Sequence, residues 1–406
     1  TVDSVVEMAR FDEATRFDRL AENGALERWM IDQIADLAGQ AHMAAPERPA
    51  AFGADGLAAL VDELTKNLQG EAAGSVAPDQ AGAYLAALSD AVERLGPQAD
   101  ARRRNGWVRR CHGDLHLANM CLFQGHAVPF DAVVFNDDFS DIDVLYDLVF
   151  AAMDLIRVGR TDLAAGMVSR YLSATRDYAG LSLWPLYLSL RAAIRAMVTA
   201  LGPDRANRDA RAQTYLDLAQ RLIAPRPAPR LIAIGGKSGT GKSTVARALA
   251  PQIGGTPGAV MIKTDTIRKR LFAVTPEDPL PKEAYARDVS ARVYERLEAD
   301  AAAALAAGAT VIADATFLNA QSRERLADRA AQCGAAFDGF MLEADETTLG
   351  QRLAARTGDV SDADATVMSR QRLEGPLAWT RLPAERGVEE LGAEIHTAIE
   401  HRDRNA

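Results

Sequence analysis

Eight consecutive residues, Gly236-Lys237-Ser238-Gly239-Thr240-Gly241-Lys242-Ser243, carry the clearest chemistry in the chain. Their spacing is GxxxxGK[ST], between an apolar run, Leu231-Ile232-Ala233-Ile234, and a helical pattern that opens at Thr244. Glycines at these positions let backbone N–H groups turn inward around phosphates, and the helix N-terminus behind them favours negative charge. Lys242 is placed to reach the β- and γ-phosphates, and the Ser243 hydroxyl to ligate Mg²⁺. The candidate nucleotide site is therefore Gly236, Ser238, Gly239, Thr240, Gly241, Lys242, Ser243 and Thr244.

Open α/β sheets bind ligands at the carboxyl ends of their strands, so the residues ending the next apolar runs are candidates too. Asp265 follows run 259–263, Arg268 lies one helical turn on, and Asp314 ends run 310–313. Asp265 is suited to accept a proton from an attacking hydroxyl, and equally to cap the helix before Thr266-Ile267-Arg268. Arg268 is suited to an anionic acceptor or a phosphate. Thr310–Asp314 is the nearest candidate for a Walker B strand. Arg352 and Arg356 share one helix face, and the polar, Gly-containing stretch 357–362 after them suits a lid whose arginines close over a transferring phosphate.

A second constellation is His112-Gly113-Asp114-Leu115-His116-Leu117-Ala118-Asn119. An Asp and an Asn five apart on a tight loop can divide two tasks. Asp114 can orient and deprotonate a hydroxyl, and Asn119 can share Mg²⁺ with Asp131, which ends the apolar stretch Val128-Pro129-Phe130. The spacing is that of HxDxxxxN, with Gly113 at the usual Arg position. His112 and His116 could suggest a metal pair, but no third ligand lies at zinc spacing. Asn136–Asp141 reads as a polar turn ahead of a helix, with attraction of a cationic acceptor as the alternative.

Two kinds of architecture must position these residues. Up to about residue 224 the pattern is helical: Leu26 to Leu37, Ala54 to Leu68, Ala81 to Leu95, Val144 to Arg157 and Leu183 to Leu201, with a strand-like interruption from Val108 to Val134. Pro225-Arg226-Pro227-Ala228-Pro229-Arg230 cannot continue a helix and reads as a short semi-rigid linker. Beyond it, strands 231–235, 259–263, 310–313 and 337–342 alternate with helices near 244–250, 283–307, 320–332 and 346–355. That is the signature of an α/β domain with a parallel sheet covered on both faces. The expected division is 1–224, a linker at 225–230, and 231–406.

The second domain resembles the small P-loop kinases grouped with polynucleotide kinase, gluconate kinase, zeta toxin and chloramphenicol phosphotransferase. The matching pieces are Gly236–Ser243, Asp265–Arg268, Val311–Thr316 and the Arg352/Arg356 pair. The resemblance implies phosphoryl transfer from ATP, or GTP, with Asp265 as base and the lid arginines on phosphates. Residues 1–224 resemble the C-terminal lobe of the aminoglycoside phosphotransferases, choline kinases and fructosamine kinases, through HGDxHxxN and Ile142–Leu148. That resemblance implies a mainly helical kinase-like lobe, with Asp114 as base and Asn119 and Asp131 as metal ligands. No phosphate-covering loop or strand Lys precedes residue 112, and Val5 to Phe11 looks like the end of a missing or truncated N-terminal lobe. The arrangement as a whole resembles a bacterial two-domain family of predicted kinases.

Composition narrows the function. The 406 residues are 48% hydrophobic and 25% charged, which excludes a mainly disordered chain. A net charge of −10 argues against a broad nucleic-acid or lipid surface. No apolar run approaches the roughly 18 residues of a membrane span. Cys111, Cys121 and Cys333 form no disulfide framework and no CxxC pair, which fits reduced thiols and a cytoplasmic location without a leader. The leading expectation is an enzyme, an ATP- and Mg²⁺-dependent phosphotransferase acting on a small-molecule hydroxyl at the P-loop domain. A nucleotide-responsive regulatory ATPase with a recognition-only first domain is the alternative. A nucleic-acid 5′-hydroxyl kinase is a third reading, against which the acidic balance counts. Nothing in the sequence speaks to oligomeric state.

Overall fold

The computed structural model describes residues 10–203, 207–275, 278–354 and 371–405. The chain forms two compact units, one of residues 1–167 and 186–223, the other of 168–185 and 224–406. The chain thus leaves the first unit within helix Thr161–Thr175 and returns within helix Trp184–Leu201.

The first unit is mainly helical, with two small antiparallel ladders. Strand β1 (Val108–Arg110) pairs with β4 (Asp141–Asp143), and β2 (Met120–Phe123) pairs with β3 (His126–Pro129). Helix Arg28–Ala44 starts close to the expected place and runs a further two turns. Helix Pro78–Arg104 outruns the expected Leu95 end by passing through Pro97. An interior proline removes one helical hydrogen bond. Burial of Ala99 and Arg102 beyond it opposes a break there. At Gly96 a Cβ would stand 3.0 Å from that of Ala54, so glycine here lets the two helices approach closely. Asp143 caps helix Val144–Arg157 by accepting the N–H of Leu145, and buried Arg102 holds the same carboxylate at 2.6 and 2.9 Å.

The second unit is built on a five-stranded parallel sheet. Its strands are β5 (Arg230–Gly236), β6 (Val260–Lys263), β7 (Val311–Asp314), β8 (Ala336–Glu343) and β9 (Thr380–Pro383), in the order β6-β7-β5-β8-β9. The crossovers reverse at β5, and open α/β sheets place ligands at such a switch point. Ile232, Ile234, Ile312, Phe340 and Leu342 form one core with Val245 and Leu249 of helix Lys242–Leu249 and Leu391 and Ile395 of helix Val388–Asn405. Strand β9 and helix Val388–Asn405 went unforeseen. The strand is four residues long and ends on Pro383, and the helix buries Leu391, Ile395 and Ile399 beneath a mostly charged surface. No described helix is long and apolar enough to cross a membrane.

Candidate functional site

The phosphate loop leaves β5 as a series of left-handed turns, with φ of 143° at Gly236, 90° at Gly239 and 84° at Gly241. A Cβ on Gly236 would stand 2.5 Å from the Leu342 carbonyl and 2.7 Å from Thr240 Oγ1, so the loop has no room for a side chain there. The Gly236 N–H donates to the Thr316 carbonyl at 3.1 Å, tying the loop to the segment after β7. Lys242 Nζ and Thr240 Oγ1 both donate to the Lys237 carbonyl, each at 2.9 Å. Gly241 occupies the cap position of helix Lys242–Leu249, whose first N–H groups face the loop.

Ser243 Oγ donates to Asp314 Oδ2 at 2.5 Å. The pairing arises because β7 lies beside β5 with Asp314 level with Ile234, at the strand ends from which the loop departs. A buried carboxylate against the P-loop hydroxyl is an oxygen donor set suited to Mg²⁺, a hard cation. Strand β7, which falls within the expected Walker B segment Thr310–Asp314, supplies this carboxylate.

Of the remaining expected residues of this unit, Asp265, Arg268 and Arg352 are described. Asp265 is half-buried in the first turn of helix Thr264–Leu271, whose cap position is taken by Lys263 and not by Asp265. Arg268 is buried and largely engaged within the fold. Its Nη1 donates to the Ala284 carbonyl at 2.5 Å and to Ser290 Oγ at 3.3 Å, and its guanidinium lies 4.9 Å from the Tyr285 ring centroid. Arg352 Nη2 donates to the Ala384 carbonyl at 2.8 Å. Arg356 and the lid stretch 357–362 lie outside the described residues.

Sequence reasoning missed the segment that returns to the loop from the other side. Gln371 Oε1 accepts the Ser238 N–H at 2.8 Å while Gln371 Nε2 donates to Ser238 Oγ at 3.1 Å. Buried Arg323 donates to the carbonyls of Phe317 and Leu318 and to those of Glu374 and Pro376, at 2.7–3.0 Å. Burial lowers the Arg323 guanidinium pKa from its ordinary value. No local spacing advertises these contacts, since Gln371 reaches Ser238 from 133 residues away and Arg323 reaches Glu374 and Pro376 from 51 and 53 away.

In the first unit the HGDxHxxN loop is held from below by helix Val144–Arg157. Asp147 is fully buried; its oxygens accept the N–H groups of His112 at 3.2 Å and Gly113 at 2.8 Å, with His42 Nε2 3.0 Å away. Burial by itself would raise the Asp147 carboxyl; the hydrogen bond to His42 and the fields of His42, His112 and Arg191 outweigh it and leave it below the ordinary value. Asp154, two turns on, accepts the Leu117 N–H at 3.2 Å. Two carboxylates on one face of an apolar helix were the available sequence signal for both. Arg191 completes the support, stacking 4.0 Å from the Tyr146 ring centroid and donating to the Gly113 carbonyl at 3.4 Å.

Above that platform Asn119 Nδ2 donates to both the backbone oxygen and Oδ2 of Asp114, each at 3.0 Å. His116 Nδ1 accepts the Ala118 N–H, so Nε2 carries the proton it directs at Asp114 Oδ2, 3.3 Å away. His112 Nδ1 likewise accepts the Asp114 N–H, and its Nε2 donates to the Phe130 carbonyl at 2.9 Å. Burial alone would raise the Asp114 carboxyl, but His116, Arg191 and Arg195 pull it below its usual range. Asp131 is exposed, with φ of 61°, in a left-handed conformation that a non-glycine residue adopts at a cost. The Phe130 N–H donates to the Asn119 carbonyl at 2.9 Å, so Asn119 and Asp131 lie just beyond the open end of the β2–β3 hairpin.

Residues 231–375 match the family model described as an AAA domain. A protein of Mycobacterium tuberculosis, itself described as uncharacterized, is 32% identical over 272 residues, 66% of this chain and 54% of that protein. The chain thus spans about half the length of the curated relatives it matches. Among solved structures, a gluconokinase from Sinorhizobium meliloti is similar at 23% identity and a TM-score of 0.31, covering 44% of this chain and 95% of its own. An APS kinase from M. tuberculosis, solved with AMPPNP and APS, is similar at 19% identity and a TM-score of 0.29, covering 43% and 99%.

Proposed function

We propose that the chain is an ATP-dependent phosphotransferase that transfers the γ-phosphate to a hydroxyl of a small molecule, with the chemistry in the second unit. The observation that carries this reading is the Ser243 hydroxyl facing the buried Asp314 carboxylate at the mouth of the Gly236–Ser243 loop. An intact phosphate cradle and an oxygen pair for a divalent cation thus share one set of strand ends. Mg²⁺ held there, by Ser243 with Asp314 beside it, would neutralise charge on the β- and γ-phosphates.

The chain's own residues divide the remaining work. Backbone N–H groups of the loop and the start of helix Lys242–Leu249 hold the phosphates, and Lys242 exchanges the Lys237 carbonyl for phosphate oxygens. Asp265 takes the proton of the acceptor hydroxyl as its oxygen bonds to the γ-phosphorus and the bond to the β–γ bridging oxygen breaks, releasing ADP. Arg268 holds residues 284–290, and Arg352 and Arg356 take the lid-arginine role that the resemblance implies. Most of the rate enhancement is positioning and electrostatic stabilisation.

The first unit either recognises the acceptor or is catalytic itself, with Asp114 as base and Asn119 and Asp131 as cation ligands. Its loop is rigidly backed by Asp147, Asp154 and Arg191, and this favours a binding role of some kind. The test is ADP release with and without a panel of sugars, amino sugars, amino alcohols, nucleosides and a 5′-hydroxyl oligonucleotide, with mass spectrometry of products. The parent, Lys242→Ala and Asp114→Ala are run in parallel. Acceptor-stimulated turnover lost only in Lys242→Ala assigns the kinase to the second unit; loss in Asp114→Ala as well makes the first unit catalytic or coupled. Full turnover in Lys242→Ala would sink the proposal.

A further inference from the structure

We infer that Gln371 is a positioning residue of the nucleotide site, and that segment 371–376 acts as a brace which holds the phosphate loop in its binding conformation. The inference rests on the reading that the loop binds ATP. Ser238 is buried, and its two polar groups near the loop entrance, the backbone N–H and the hydroxyl, are both satisfied by one side chain 133 residues away. A primary amide is a neutral side chain that offers, on two separate atoms, an acceptor to the N–H and a donor to the oxygen at once. A carboxylate would offer acceptors only, and would add negative charge beside a loop built to receive phosphate.

The brace is itself fixed. The Glu374 N–H donates to the Leu318 carbonyl at 2.8 Å, and Asn319 Nδ2 donates to Glu374 Oε2 at 2.8 Å. Arg323 binds carbonyls on both sides of that junction, those of Phe317 and Leu318 and those of Glu374 and Pro376. Leu318 lies four residues beyond Asp314, and the Thr316 carbonyl receives the N–H of Gly236. Three segments therefore close into one hydrogen-bonded circuit: the loop, the stretch after the Asp314 strand, and residues 371–376. Gly239 and Gly241 stand in left-handed conformations that free glycines leave readily, so an unbraced loop would sample arrangements whose N–H groups do not converge. Gln371 acts on affinity by reducing that freedom before nucleotide arrives.

The experiment measures ATP affinity of the full chain by calorimetry, with thermal midpoints alongside, for the parent, Gln371→Ala, Ser238→Ala and the double variant. Losing two neutral hydrogen bonds at the loop gives an expected rise in ATP Kd of about tenfold for Gln371→Ala. Ser238→Ala keeps the backbone bond and is expected to show a smaller rise. The double variant is expected to be no weaker than Gln371→Ala alone, because the two residues act through one contact. An ATP Kd within twofold of the parent in Gln371→Ala would overturn the inference, whatever happens to the midpoint. Strictly additive effects in the double variant would overturn it too. A parent chain that does not bind ATP would instead remove the functional reading on which the inference rests.

Discussion

At the scale of single residues, the proposed nucleotide site would separate into groups that touch phosphate and groups that hold those groups. Lys242 is assigned to the first kind by the proposal. Replacing it with Ala removes a charge aimed at the β- and γ-phosphates, and the expected loss in turnover is about 100-fold or more, read as ADP release. Asp314 belongs to the second kind, one bond behind the Ser243 hydroxyl. Asp314→Asn keeps the shape and removes the charge, so the expected result is a rise of about 10–100-fold in the Mg²⁺ concentration needed for half-maximal rate. A titration of rate against Mg²⁺ that is unchanged would show that this carboxylate does not serve the cation. Motif spacing brought out Lys242 and Ser243, because the cradle is made of consecutive residues. It also flagged Asp314, as the end of an apolar run, but not its partner. That partner depends on which strand lies beside β5.

At the scale of elements, helix Val144–Arg157 is the platform of the first unit. Its Asp147 carboxylate is the meeting point of the HGDxHxxN loop and helix Arg28–Ala44. Asp147→Ala would remove the buried carboxylate that His42 Nε2 and two backbone N–H groups share, an expected cost on the order of 3–5 kcal/mol in urea unfolding at pH 7. The pH dependence follows from the direction of the shift. Asp147 has a native pKa below its ordinary 3.8, so its stabilisation is complete above that value and is lost as pH falls through the depressed one. The unfolding midpoint should therefore hold steady from pH 7 to about 4 and drop below it, less steeply in Asp147→Asn. The helix was readable from its periodicity, whereas its Asp143 cap emerged from the structure. The use of its two acidic positions was not, because an Asp in an apolar stripe reads equally as a boundary error or a buried partner.

At the scale of the whole molecule, the two units do not follow one another simply along the chain. Residues 168–185 belong to the P-loop unit, where Ser169 Oγ accepts the Met261 N–H at 3.0 Å and Arg176 pairs with buried Asp300 at 3.1 Å. A fragment that starts at Ala224 discards these contacts. It is expected to unfold at a lower urea concentration than a fragment that starts at Val168, each followed by circular dichroism. Equal midpoints would show that the inserted stretch contributes nothing to the P-loop unit. The Pro-rich stretch 225–229 was conspicuous as a break in helical pattern, whereas the insertion has no compositional mark. It begins inside helix Thr161–Thr175 and ends inside helix Trp184–Leu201, so both changes of unit fall within a helix.

What the sequence by itself determined is local. Glycines at fixed offsets, one lysine and one serine specify a phosphate cradle, and HGDxHxxN specifies a tight loop with a carboxylate and an amide. Such features depend on neighbours a few residues away, whose geometry the backbone dictates. Alternation of apolar runs with helical patterns also determined a parallel sheet, because parallel strands require crossovers. Only the tertiary structure decided the partners: Ser243 with Asp314, Ser238 with Gln371, Gly113 with Asp147. Each joins residues from 34 to 133 positions apart. Such contacts are fixed by strand order, register and side-chain packing, and a single sequence does not display these until the chain has folded.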